Sequence, residues 1–200
     1  VKKKKKQKPL SVWTHADWHS CTRCELHAQC RQKVLGDAGE VEVLFLADMP
    51  NSSEHSLGFA GTGPAGKLLT STFREAQERT NVSVSYGFKH LVACYPRDVD
   101  VTELHREACW PRVENDLAEM GPTRVVLLGN EVQAFCKERL PDAVKMVHPN
   151  FILRDGERNS PHYMAWIRSM MDLLKEIEDA RAVQPERGRD LLDARYLFDL

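Results

Sequence analysis

Cysteines, histidines and a few carboxylates at the ends of apolar runs are the residues of this chain best suited to chemistry. Cys21 and Cys24 form a Cys-x-x-Cys pair, and Cys94 and Cys109 follow further along. Four converging thiolates suit a structural zinc ion or an iron-sulfur cluster alike, while each alone serves equally as a small buried core residue. Cys136 sits in an amphipathic stretch and reads as core; Cys30, six residues past Cys24, is the weaker ligand candidate. Asp48 ends an apolar run, where a carboxylate orients water, stabilises a developing cation or caps a turn. His148, in His148-Pro149-Asn150, ends another run, and an imidazole there supports charge on a leaving group or packs as a structural histidine.

The elements that must position these groups alternate along the chain. Val41 and Val43 to Ala47 form an apolar run bounded by turn residues, the mark of a buried strand. Ser52 to Pro64, with Gly58, Gly61 and Gly63, reads as a loop beyond that strand's carboxyl end. Helical spacing predicts a helix from about Ala65 to Arg79. A strand over Gly87 to Ala93 precedes a helix over Glu103 to Met120, whose inward face would carry Leu104, Ala108, Val113 and Leu117. Arg124 to Gly129 is a third strand, Glu131 to Arg139 a helix, Val144 to Val147 a fourth strand, and Pro161 to Arg181 a last helix. Strands separated by helices imply an α/β fold, a three-layer α/β/α sandwich around a central, mostly parallel four-stranded sheet. In such a fold the loops after the strands build the site.

The 200 residues bound the chain to one main domain. Its 28 basic and 29 acidic residues nearly cancel, a balance that taken alone argues against a nucleic-acid partner, but six of the lysines crowd into the first eight residues. The organisation reads as a basic flexible tail over 1–12, a domain over 13–181, and a C-terminal tail over 182–200. That last segment ends in an apolar cluster, Leu191 to Leu200, suited to docking a protein partner or to folding back on its own domain. No run reaches the ~18 apolar residues of a membrane span, and no secretory signal follows the lysines. The expected location is intracellular: bacterial cytoplasm, or infected host cytoplasm if the chain is phage-encoded.

Taken in order over about Trp18 to Ala180, these motifs resemble those of the iron-sulfur uracil-DNA glycosylases, family 4 of the uracil-DNA glycosylase superfamily, in a divergent form. The resemblance implies a [4Fe-4S] cluster on Cys21, Cys24, Cys94 and Cys109, with Arg97 in the enclosed loop as a phosphate contact. Ala47-Asp48-Met49-Pro50-Asn51 matches a motif like GEAPG, whose carboxylate helps to position or activate water at the sugar C1′. His148-Pro149-Asn150-Phe151-Ile152-Leu153-Arg154 resembles HPSxxxR, which makes His148 the partner of the departing base. The base pocket would comprise Met49, Pro50, Asn51, Phe59, Gly61 and His90, with Tyr86 nearby, and Lys67, Arg97, Asn150 and Arg154 would meet DNA.

Two positions depart from the family pattern. Gly61 stands where a phenylalanine stacks on the base, with Phe59 as a substitute by another loop path. His90 replaces the asparagine that reads the uracil edge, and one neutral imidazole cannot reproduce an amide's paired donor and acceptor. The implied function is therefore a DNA glycosylase acting on a damaged or modified base, a modified pyrimidine in preference to plain uracil, and leaving an abasic site. The alternative is a catalytically inactive, glycosylase-like DNA-binding or replication-associated interaction protein.

Overall fold

The structure, a computed structural model, describes residues 13–183. The whole of the expected basic tail (1–12) and most of the C-terminal tail (182–200), including the docking cluster Leu191 to Leu200, lie outside the described residues; Ala182 and Val183 complete the last helix.

Two short helices, α1 (His15–His19) and α2 (Leu26–Gln29), precede strand β1 (Val43–Ala47). There follow α3 (Ser52–Leu57), α4 (Pro64–Thr80), β2 (Tyr86–His90), α5 (Glu103–Met120), β3 (Arg124–Leu128), α6 (Asn130–Cys136), β4 (Val144–Met146), α7 (Pro149–Arg154), a 3-10 turn over Glu157–Asn159, and α8 (Tyr163–Val183). The sheet order is β2-β1-β3-β4, every pairing is parallel, and Ala47 is in register with His90. The chain steps from β1 to β2 on one side and then to β3 on the other. This reversal opens a crevice at the carboxyl ends, where open α/β sheets bind ligands.

Alternate strand residues face opposite layers. Val43, Phe45, Val126 and Leu128 pack with α4, α7 and α8, where Trp166, Met170, Leu173, Leu174 and Ile177 form the expected inward stripe. Leu46 and Leu127 pack against Val113, Val132 and Phe135 of α5 and α6 on the other side. Phe45 is stacked on Phe88, with ring centroids 5.5 Å apart, and is met edge-on by Phe73 at 5.1 Å. The three-layer sandwich read from the alternation of strands and helices is what the chain forms.

Two local expectations are corrected. Part of the segment read as a loop is α3: the Asn51 side chain accepts from the Glu54 backbone N–H at 3.0 Å, and Glu54 Oε2 accepts from the Asn51 N–H at 2.9 Å. This reciprocal capping box nucleates a turn that the neighbouring glycines obscured. The inward face of α5 is only partly the one expected. Val113 is buried and Leu117 packs beside it as expected, but Leu104 is 79% exposed, and Arg106, Cys109 and Arg112 are buried as well.

Candidate functional site

Three of the candidate residues meet at the crevice because each ends a strand. Asp48 directly follows β1, His90 is the last residue of β2, and His148 stands two residues past β4. Backbone bonds from the Leu91 N–H to Ala47 and from the Val92 N–H to Asp48, both 2.8 Å, keep the first two strand ends side by side.

Helix α5 clamps both of those ends with arginines. Arg106 donates from Nε to Asp48 Oδ1 and from Nη2 to Asp48 Oδ2, each at 2.8 Å, and reaches Glu131 at 3.2 Å. The hydrogen bonds it donates to Asp48 raise the Arg106 pKa despite its burial, so the guanidinium stays charged. The bidentate pair fixes the plane of the Asp48 carboxylate and leaves each oxygen a further lone pair for water. One and a half turns on, Arg112 donates to the His90 carbonyl, to the Leu91 carbonyl at 3.2 Å and to Asp116 at 2.6 Å. Lys89 reaches the other Asp116 oxygen at 2.9 Å. Sequence reasoning missed both arginines. The available signal was their spacing, which places Arg106, Cys109, Arg112 and Asp116 on one helical face.

Glu54 is a second residue that sequence reasoning passed over. It is buried on α3, its Oε1 accepts from the Gly61 N–H at 2.6 Å, and its Oε2 lies 3.4 Å from His90 Nε2. Burial pushes its carboxyl up, but hydrogen bonding and charge from His90, with the backbone N–H groups of Asn51 and Gly61, outweigh burial and hold it below the ordinary glutamate value. Gly61 has φ +71, and a Cβ there would sit 3.1 Å from the Phe88 ring. The ring beside this position is thus supplied by β2, and a side chain at Gly61 would be strained as well as crowded.

His148 is the N-cap of α7, and its Nδ1 accepts from the Asn150 N–H at 3.1 Å. That bond leaves the proton of the neutral ring on Nε2. Burial lowers the His148 pKa, the neighbouring His90 and Arg154 lower it further, and the charges of Glu54 and Asp48 oppose them only in part. His148 is therefore a neutral imidazole near pH 7, with its donor free for a ligand.

The other candidates are distributed around this centre. Pro50 is buried behind Asp48, Met49 is exposed beside it, and the Asn51 side chain is engaged in capping α3. Phe59 projects from the turn after α3 and is 70% exposed. Tyr86 packs edge-on to Phe73 and Phe88 in the core, away from solvent on one face. Lys67 is exposed on α4, Asn150 and Arg154 on α7, and Arg97 on the loop after β2, where its φ is +49.

The cofactor expectation is corrected. Cys21, Cys24, Cys94 and Cys109 line one cavity of about 20 Å³, together with Trp18, Arg23 and Ala93. Among the described residues, however, no group of three or more Cys, His, Asp or Glu is arranged to hold a metal ion. Burial raises the Cys21 and Cys24 thiols toward the protonated form. Cys94 donates a hydrogen bond to Cys30, which with burial raises its pKa too, and the Cys30 thiol lies 2.7 Å from the Gln32 carbonyl, to which it donates. The four cysteines share a cavity wall; they do not form the ligand shell of a [4Fe-4S] cluster.

Among the described residues no helix is long and apolar enough to cross a membrane. A sequence model described as the Uracil DNA glycosylase superfamily matches residues 34–170. The chain is also 30% identical over 116 residues to a type-4 uracil-DNA glycosylase of Sulfurisphaera tokodaii, an alignment covering 55% of this chain and 50% of that protein. It thus spans about half the length of the curated relative it matches.

Proposed function

This chain belongs to the uracil-DNA glycosylase superfamily, and from that premise we propose that it hydrolyses the N-glycosidic bond of a modified pyrimidine in DNA and leaves an abasic site. The observation that carries the reading is the pairing, at one strand-end crevice, of a fixed anion with a neutral imidazole whose free proton is on Nε2.

The chemistry follows from those two groups. An enzyme acting on a base takes it out of the stack, and exposed Lys67, Arg97, Asn150 and Arg154 supply cationic and polar contacts for the backbone around it. As the C1′–N bond breaks, its electron pair leaves with the base and positive charge grows on the sugar. Asp48, locked by Arg106, stabilises that charge and accepts a hydrogen bond from the attacking water. The water oxygen bonds C1′ and its proton passes to solvent. The His148 Nε2–H stabilises the negative charge on the departing base. The two departures at Gly61 and His90 support a base other than plain uracil.

A second reading, a glycosylase-like DNA-binding protein without excision activity, is favoured by one observation: Arg106 engages both Asp48 oxygens, which makes that carboxylate a poor proton acceptor. One experiment separates the two. Single- and double-stranded oligonucleotides carrying uracil, hydroxymethylated or glycosylated pyrimidines, or deaminated purines are incubated with the protein and then cleaved with alkali at abasic sites. Strand scission at a modified pyrimidine is the expected result, with Asp48→Asn and His148→Ala each lowering turnover more than DNA affinity. DNA binding without scission anywhere in the panel would establish the second reading, and unaffected turnover in both variants would overturn the assigned roles.

A further inference from the structure

His90 is only 4% exposed, yet its Nδ1 is buried without a hydrogen-bond partner. Buried polar atoms are rarely left unpaired, and those that are call for an explanation in function. The rest of the residue is tightly specified. Arg112 holds its carbonyl from one side, and Glu54 Oε2 faces its Nε2 at 3.4 Å from the other. Glu54 is in turn held by the Asn51 and Gly61 N–H groups at 2.9 and 2.6 Å. A carboxylate that already accepts two N–H donors and faces a ring nitrogen requires a proton on that nitrogen. With a single ring proton, His90 carries it on Nε2 and leaves a bare lone pair on Nδ1.

Resting on the base pocket proposed above, we infer that Glu54 is a positioning residue that fixes the Nε2–H tautomer of His90, so that Nδ1 accepts a hydrogen bond from an N–H donor of the bound base. His148 complements it. The backbone of α7 takes its Nδ1 and leaves Nε2–H as a donor, so the two imidazoles, each fixed by a different neighbour, offer one acceptor and one donor. The substrate class is a base that presents an N–H together with a carbonyl oxygen. Both a ring imide and an exocyclic amine supply the N–H. A base whose only group at that position is an acceptor or a methyl meets the bare Nδ1 lone pair unfavourably, and buried mismatches of this kind are what give polar sites their discrimination.

The test reads His90 directly, by ¹⁵N NMR of the full chain with His90→Gln used to assign its signals. At neutral pH the free protein is expected to show a protonated Nε2 and a bare Nδ1. In Glu54→Ala the two tautomers should become comparably populated, and in Glu54→Asp, which keeps the charge, the wild-type pattern should be partly recovered. A free protein whose His90 has its proton on Nδ1 would overturn the inference, and this result does not depend on how the Glu54 variants fold. Three oligonucleotides then differ at one base: uracil, with a ring N–H; cytosine, with an exocyclic amine; and N3-methyluracil, with neither. Uracil or cytosine should shift the Nδ1 resonance, the larger response identifying which N–H is bound, and N3-methyluracil should leave it unmoved. Equal shifts from all three, or none from any, would overturn it. Because the readout is a resonance and not strand scission, a shift in Nδ1 from a protein without excision activity would sink the glycosylase proposal while leaving this one standing.

Discussion

Replacing Arg106 by Met removes the one guanidinium that holds Asp48, and its cost can be worked from the geometry. Arg106 is buried, and the Asp48 side chain retains 18% of its exposure. Removing one partner of a buried ion pair costs about 3–5 kcal/mol because the other charge stays behind. Water reaches part of Asp48, which places this pair at about 3 kcal/mol on that scale. The arm to Glu131 adds little, since that side chain is 72% exposed and such pairs contribute at most about 1 kcal/mol. At roughly 2–4 °C per kcal/mol for a chain of this size, Arg106→Met should lower the melting temperature by roughly 6–12 °C. Asp48→Asn should also destabilise, by stranding the arginine, and the double variant should be less destabilised than the sum of the two because neither charge remains. Thermal unfolding of the four proteins closes the cycle. A melting point within about 2 °C of wild type for Arg106→Met, or strictly additive losses, would refute the claim that the pair holds the strand end. The cycle also sets how Asp48→Asn is assayed for turnover: at a temperature where the variant is folded.

Two further predictions concern His148. Its folded pKa lies below the ordinary histidine value, so the unfolded chain binds the proton more readily. The stability tied to its neutral form is present above roughly pH 6.5 and is lost as pH falls through the folded value. His148→Asn keeps a good N-cap acceptor but does not titrate, so it should lose less stability than wild type between pH 7.5 and 5.5 in urea titrations; equal losses would count against a depressed pKa. Gly129, directly after β3, has φ +92 and ψ 162, and a Cβ there would lie 3.1 Å from the His148 Cβ. Gly129→Ala should destabilise by about 1–3 kcal/mol through backbone strain alone, and by displacing His148 it should lower turnover on any base that wild type excises. Full activity in this variant would show that the close approach is not used.

What was legible in the chain and what was not divide along a physical line. Each strand came from a run of apolar residues, and each long helix from a 3.6-residue period, because burial of apolar surface leaves its pattern in neighbouring positions. The strand ends then followed, and with them Asp48 and His148; His90, inside the expected strand Gly87 to Ala93, followed only from the family resemblance. The residues that hold those three in place did not. Arg106 pairs with a carboxylate 58 residues earlier, and Arg112 with carbonyls 21 and 22 residues earlier. A charged residue in an amphipathic helix is ordinarily solvent-facing, so the apolar pattern places Leu104 inward and gives no sign of the buried arginines. Their burial is stable only because the strand ends present a carboxylate and carbonyls to meet the guanidinium groups, which is tertiary information.

Glu54 lies between these cases. Asn51-Ser-Ser-Glu54 is a capping box written in four consecutive residues, and it was open to local reading. What no local pattern states is that the oxygen that closes the cap, Oε2, also faces His90 across the crevice, while Oε1 takes the Gly61 N–H. One side chain therefore couples the start of α3, the turn at Gly61 and the imidazole at the end of β2. The cysteines show the converse failure. Their spacing is regular enough to suggest a ligand set, yet spacing fixes only which elements the thiols occupy; whether they converge depends on the packing between those elements. Here the Cys30–Cys94 contact and the walls contributed by Trp18 and Ala93 give them a shared cavity in place of a shared ligand. In this fold the positions of the candidate groups Asp48 and His148 follow from the strand pattern, and their orientation follows from polar neighbours, many of them distant in the chain.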